Sequence, residues 1–236
     1  MINVKKAVIT GSFVVVLVIG LVIWNSGDLF ETESPEAQSE PNDNEAEIPD
    51  PQEYDEEDFD KAVNEVRDSL DEAVVEEIFD VQDQDQYDEN EVFSVASISE
   101  AKFEFRYLVE NELYDERKPS QEVKDLAQER AESINKMFNT AEERYDLTVT
   151  QEEVTDYIEE NVDTNFVESM EMYADALGIS VEELNHSFDR DIYAQGVLLN
   201  KINERMIAEN PKQSDENQRD YSERIDEIIE QEFYAN

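Results

Sequence analysis

Two copies of one helix-starting device, with a helix stop between them, constrain this chain more than any other feature. In LTVTQEEV, Thr150 and Glu153 have the spacing of a capping box. The hydroxyl accepts from one orphan backbone N–H and the carboxylate returns to another. In GISVEEL, Ser180 and Glu183 repeat the device. Gly178 stands just before the second box, suited to the left-handed position that ends a helix, and Ile179 is the apolar residue that folds back on it. Residues 147–184 are therefore a place where helices meet at short, defined corners. Nothing in this stretch is chemically reactive.

Apolar spacing extends the helical reading in both directions. Phe59, Val63, Val66, Leu70, Val74, Ile78 and Val81 predict one amphipathic helix, and residues 91–97 (EVFSVAS) a short extended entry. Ser99 caps a helix to about Tyr114 that is apolar over more than one stripe, so it is either covered on two sides or leaves aromatic surface open. Pro119 and Ser120 begin a long helix with Val123, Ala127, Ile134, Phe138, Ala141 and Tyr145 on one side. After the Thr150 cap, Val154, Ile158 and Val162 form a stripe, followed by Phe166, Met170, Tyr173 and Leu177 on the next helix. A continuous helix from Ser180 carries Leu184, Phe188, Ile192, Leu199, Ile202 and Met206, and a last one over residues 221–233 needs to dock to bury Ile225, Ile228, Ile229 and Phe233. The fold class expected is all-α.

Two segments precede this part. Residues 7–24 are an uncharged apolar run long enough to cross a bilayer, after a short cytoplasmic start, residues 1–6, with Lys5 and Lys6. A cleaved signal peptide competes with an anchor, but no small-x-small site follows Trp24. Residues 25–54 form an acidic, proline-bearing linker of the kind that stays disordered, and the folded domain spans residues 55–236. The expected location is a single-pass cell-membrane protein with its main domain extracytoplasmic.

Charge and residue inventory exclude several functions. A net charge of −45 over 236 residues makes nucleic acid an improbable partner. The acidity runs through the helical part as well as the linker, which suits adaptation to high salt or alkaline surroundings. Cysteine is absent and His186 is the only histidine, so thiol catalysis and histidine-pair metal sites are unavailable. His186, off the apolar stripe, is expected to be solvated, and the Asn185 glycosylation triplet is discounted because it lies within a helix. Asp80 and Glu91 have the end-to-end spacing of a calcium loop, but the turn glycine is missing and Gln82 and Gln84 stand at inner ligand positions. No catalytic residues, metal or cofactor are expected, and carboxylate pairs are too common here to single one out.

In their order, VFSVASISEAKFEF, YDLTVTQEEVTDYI and ALGISVEELNHSFDRDIYAQGVLLNKI resemble the N-terminal, non-catalytic domain of the SurA and PrsA group of extracytoplasmic foldases, over residues 92–206. The resemblance implies a multi-helix chaperone domain that holds unfolded or exported polypeptides in an apolar groove between helices. It also implies a last helix, residues 221–233, returning to the core. Only 30 residues follow Met206, too few for the family's parvulin prolyl isomerase domain, so a holdase without isomerase activity is expected. Candidate client-binding residues are Phe105, Tyr107, Met172 and Tyr173, each of which could instead be packed in the core. A cell-envelope scaffold binding one folded partner is the alternative, and a homo-oligomer is compatible with both.

Overall fold

The computed structural model describes residues 54–79, 88–114 and 117–234. The expected membrane helix at residues 7–24, nearly all of the acidic linker and most of the candidate calcium loop lie outside the described residues. Among the described residues no helix is long and apolar enough to cross a membrane. The architecture is all-α, and the one piece of β structure among the described residues is an isolated antiparallel bridge between Val92 and Thr150.

Helix α1 (Glu56–Ser69) begins three residues before Phe59, the first position of the apolar pattern, at the start of the expected folded domain. Asp55 and Asp58 form a reciprocal cap, and Glu56, Glu57 and Asp58 fill the first turn, where carboxylates are favoured by the helix dipole. The expected single helix then breaks at Leu70, which is extended (ψ 154), and α2 (Glu72–Phe79) follows. Ser69 turns its hydroxyl back to the Val66 carbonyl, while the Asp71 carbonyl accepts from Val74 and Val75 to open the new helix.

The extended entry shrinks to one bridge. Phe93 N–H donates to the Val149 carbonyl at 2.7 Å and Gln151 N–H to the Glu91 carbonyl at 2.9 Å, after which residues Val95–Ser97 make a 3-10 turn. Helix α3 (Glu100–Leu113) starts where expected, with the Ser99 hydroxyl accepting from Lys102 N–H. It is packed against α1, α2 and the long α4 (Ser120–Tyr145), so its second apolar stripe is covered. Helix α4 ends at Asp146, a non-glycine residue in the left-handed region (φ 54).

Both capping boxes form. Helix α5 (Gln151–Tyr157) begins at Thr150, whose N–H donates to Glu153 Oε2 at 2.8 Å. It runs on as a π turn (Ile158–Val162) and a 3-10 turn (Asp163–Asn165). Helix α6 (Glu168–Leu177) packs on α1 and stops at Gly178 (φ 78), with Gly178 N–H on the Asp175 carbonyl (2.9 Å) and Ile179 N–H on the Ala174 carbonyl (3.0 Å). That is the paired bonding expected of a glycine-terminated helix. Phe166 is a correction: it precedes α6 instead of riding its buried stripe, and it is 55% exposed.

The helix expected to run unbroken from Ser180 is also interrupted. A single turn, α7 (Val181–Glu183), widens into a π turn (Leu184–Phe188), and Asp189 separates it from α8 (Arg190–Glu209). A π turn admits an extra residue per turn and so shifts which side chains face inward. Residues 184–191 are all buried in succession. Helix α9 (Gln218–Ile229), capped by Asn217, packs on α8. The π turn after it (Glu230–Tyr234) docks on α4, with Phe233 fully buried 5.3 Å from the Tyr145 ring and the Tyr234 hydroxyl 3.1 Å from Met137 Sδ.

Candidate functional site

The four residues expected to bind clients do not form a surface. Phe105 is completely buried and Tyr173 is nearly so, and both meet the ring of Phe188 edge-on, at 6.2 and 6.4 Å. Phe79 of α2 closes the cluster from another side, 5.4 Å from Phe105 and 5.8 Å from Phe188. Tyr107 and Met172 are half-buried and packed against the core. Periodicity alone does not distinguish an aromatic that faces a groove from one that is covered by a neighbouring helix.

Beside these rings lies a buried polar network that apolar spacing does not reveal. Arg106, one helical residue from Phe105, grips Asp191 with both terminal nitrogens (2.9 and 2.8 Å) and reaches Asp189 (2.9 Å) and the Phe188 carbonyl (3.0 Å). Lys102 donates to the same carbonyl at 3.1 Å. Burial presses upward on both carboxyls. In Asp191 the Arg106 charge and paired hydrogen bonds prevail and hold it below the usual range, whereas Asp189, with one bond, is pushed up. Burial lowers the Lys102 ammonium and raises the Tyr173 phenol. The Tyr173 hydroxyl and Arg106 Nε are buried without a hydrogen-bond partner, an unsatisfied cost of about 1–3 kcal/mol each. Next door, Arg190 bonds the Gln151 side chain (2.9 Å), the Gln151 carbonyl (2.7 Å) and the Thr155 hydroxyl (3.0 Å), tying α8 to α5. The available signal was a single arginine amid Phe103, Phe105, Tyr107 and Leu108, together with the charged run Asp189, Arg190, Asp191 behind Phe188.

His186 is a second correction. It is buried in the π turn, its Nε2 2.9 Å from Asp163 Oδ2, while Asn185 donates to Asp163 Oδ1 at 3.0 Å and accepts from the Tyr193 hydroxyl at 3.3 Å. Asp163 thus ties the turn before Phe166 to the π turn after α7. Asn185 is 1% exposed, in keeping with discounting its glycosylation triplet.

Exposed apolar surface gathers at that same place. Phe166 (55% exposed) and Val167 (37%) are adjacent, in a run of six exposed residues, 163–168. Behind them opens a cavity of about 310 Å³ lined by Val162, Phe166, Met170 and Val181, with Asp163, Glu182 and Asn185 as its polar members. Its walls come from the π turn after α5, the start of α6 and the Ser180-capped turn, so both capping boxes position it. A wider open groove of about 950 Å³ runs along α2, where Ala73, Val75, Phe79 and Leu177 alternate with Glu72, Glu76, Glu77 and Arg67. Arg67 is anchored there by the Leu177 carbonyl (3.0 Å) and sits 4.5 Å over the Phe79 ring.

The arrangement offers apolar shelter and negative charge, with no nucleophile–base pair at either concavity. Among the described residues no group of three or more acidic or histidine side chains is placed to hold a metal ion. Comparison with protein-family models, curated proteins and solved structures finds no match.

Proposed function

We propose that the chain is a membrane-anchored, extracytoplasmic chaperone-like protein that reversibly holds unfolded or exported polypeptide segments, without isomerase activity. Its client surface is the cavity behind Phe166 and Val167, in place of Phe105, Tyr107, Met172 and Tyr173. The observation that carries this reading is a bulky aromatic left 55% exposed beside an apolar cavity, in a domain where Phe105 and Phe188 are buried. Fully burying an exposed side chain of this size is worth about 1.5–3 kcal/mol, so covering the exposed half of Phe166 yields about 1–1.5 kcal/mol. That suits weak, reversible holding at several client sites rather than one tight complex. The capped corners keep the cavity open by fixing helix ends that the client does not have to order. The anchor at residues 7–24 and the acidic linker would hold this face away from the membrane.

The test uses the full chain in zwitterionic nanodiscs with two unrelated denatured proteins, followed by light scattering. Wild type should slow aggregation of both, and Phe166→Asp should lose most of that effect while keeping its helical circular dichroism. Protection of neither client would overturn the holdase reading in favour of a scaffold for one folded partner. Prolyl isomerase turnover in the same preparation would contradict the non-catalytic assignment.

A further inference from the structure

We propose that the Phe166 cavity selects cationic apolar segments: one bulky apolar side chain entering the cavity, flanked by lysine or arginine at its rim. This rests on the reading of that face as the chain-binding surface and names the class of segment it prefers.

The cavity, about 310 Å³, lies at the small end of the range typical of ligand pockets, about 300–1,000 Å³. It admits a side chain and not a helix. Its apolar wall (Val162, Phe166, Met170, Val181) explains why the entering group is apolar. Its rim explains the charge. Between Arg144 and Arg190 the chain has thirteen carboxylates and no lysine or arginine. Cations brought in from other elements are committed elsewhere: Lys201 to Glu153 and the Thr148 carbonyl, Arg190 to Gln151 and Thr155, Arg106 to Asp189 and Asp191. Among the described residues no lysine or arginine ion pair reaches Asp163 or Glu182, the two carboxylates of the cavity, and the side chains that contact Asp163 are those of Asn185 and His186. The α2 groove differs, because Arg67 already stands among its glutamates.

A neutral apolar segment entering here gains apolar contact but partly desolvates Asp163 and Glu182 with nothing in return. An acidic one is repelled. A segment carrying lysine or arginine beside its anchor supplies the missing counter-charge, and the field of the surrounding carboxylates steers it in, an effect that salt screens.

The experiment is fluorescence anisotropy with the full chain in zwitterionic nanodiscs, empty nanodiscs as control, and three labelled peptides of equal length: leucine/lysine, leucine/serine and serine/lysine. The leucine/lysine peptide should bind about tenfold more tightly than either other at low salt, an advantage that shrinks in molar salt. Phe166→Ser should weaken it, and Glu182→Gln should narrow its advantage over the leucine/serine peptide. Equal binding of leucine/serine and leucine/lysine would overturn cationic selection and leave the apolar site standing. Equal binding of serine/lysine, indifferent to Phe166→Ser, would overturn the cavity as the site. Absence of peptide binding alongside intact aggregation suppression would overturn this inference alone, whereas failure of both assays would bring down the chain-binding reading itself.

Discussion

Replacing Arg106 by Met should destabilise the domain by about 3–5 kcal/mol at neutral pH, because it removes the partner of two buried carboxylates. The magnitude follows from what is left behind. Asp191 loses two charge-assisted bonds of 2.8 and 2.9 Å, Asp189 loses one of 2.9 Å, and the Phe188 carbonyl loses one of 3.0 Å, with Lys102 the nearest remaining cation. Met fills much of the same volume, so lost packing contributes little beside the exposed electrostatic cost. The pH dependence identifies the cause. In the variant both buried carboxyls take folded pKa values above the unfolded value of about 3.9, so the folded state binds more protons and stability falls as pH rises. In the parent, Asp191 is held low and contributes stability above the unfolded pKa that is lost as pH falls. Asp189 is already raised in the parent and works the other way, so the growth of the difference from pH 4 to pH 7 comes from Asp191 and from the further rise of Asp189 once Arg106 is gone. Urea titrations followed by circular dichroism across that range measure it. The triple change Arg106→Met with Asp189→Asn and Asp191→Asn should recover most of the loss, since no unpaired charge remains. A loss under about 1 kcal/mol, or one independent of pH, would refute the account of Arg106 as the counter-charge of a buried pair.

Other expectations concern the corners and the charge. Gly178→Ala should cost about 1–2 kcal/mol through backbone strain alone, as φ is 78 and no atom lies within 4 Å of an added Cβ, while Asp146→Gly, relieving φ 54, should stabilise by a few tenths, both by urea denaturation. Thr150→Ala should cost about 1 kcal/mol, because it removes the acceptor of Glu153 N–H at the corner that also pairs with Val92. With a net charge of −45, the urea midpoint should rise from dilute buffer to molar salt as self-repulsion is screened, and an unchanged midpoint would count against salt adaptation.

The parts legible in the sequence are those whose cause is local. Ser99, Thr150 and Ser180 each accept the hydrogen bond their spacing implies, and Met170 fills the core as its position on an apolar stripe suggests. The candidate site was less legible. Phe105 and Tyr173 are core residues because α2 and Phe188 cover them, and Phe166 is exposed because the chain turns before α6 begins. Neither fact is contained in the spacing of those residues.

The sequence by itself determined the capped starts at Ser99, Thr150 and Ser180 and the stop at Gly178, since a hydroxyl, a carboxylate or a glycine acts on backbone groups within a few residues of itself. The tertiary structure alone decided which way the segment from Leu184 to Asp191 faces. A π turn shifts its phase, burying His186 against Asp163 and delivering Asp189 and Asp191 to an arginine more than eighty positions away in the chain. Such partners are chosen by packing and by the cost of leaving a buried charge unpaired. No local pattern encodes that cost.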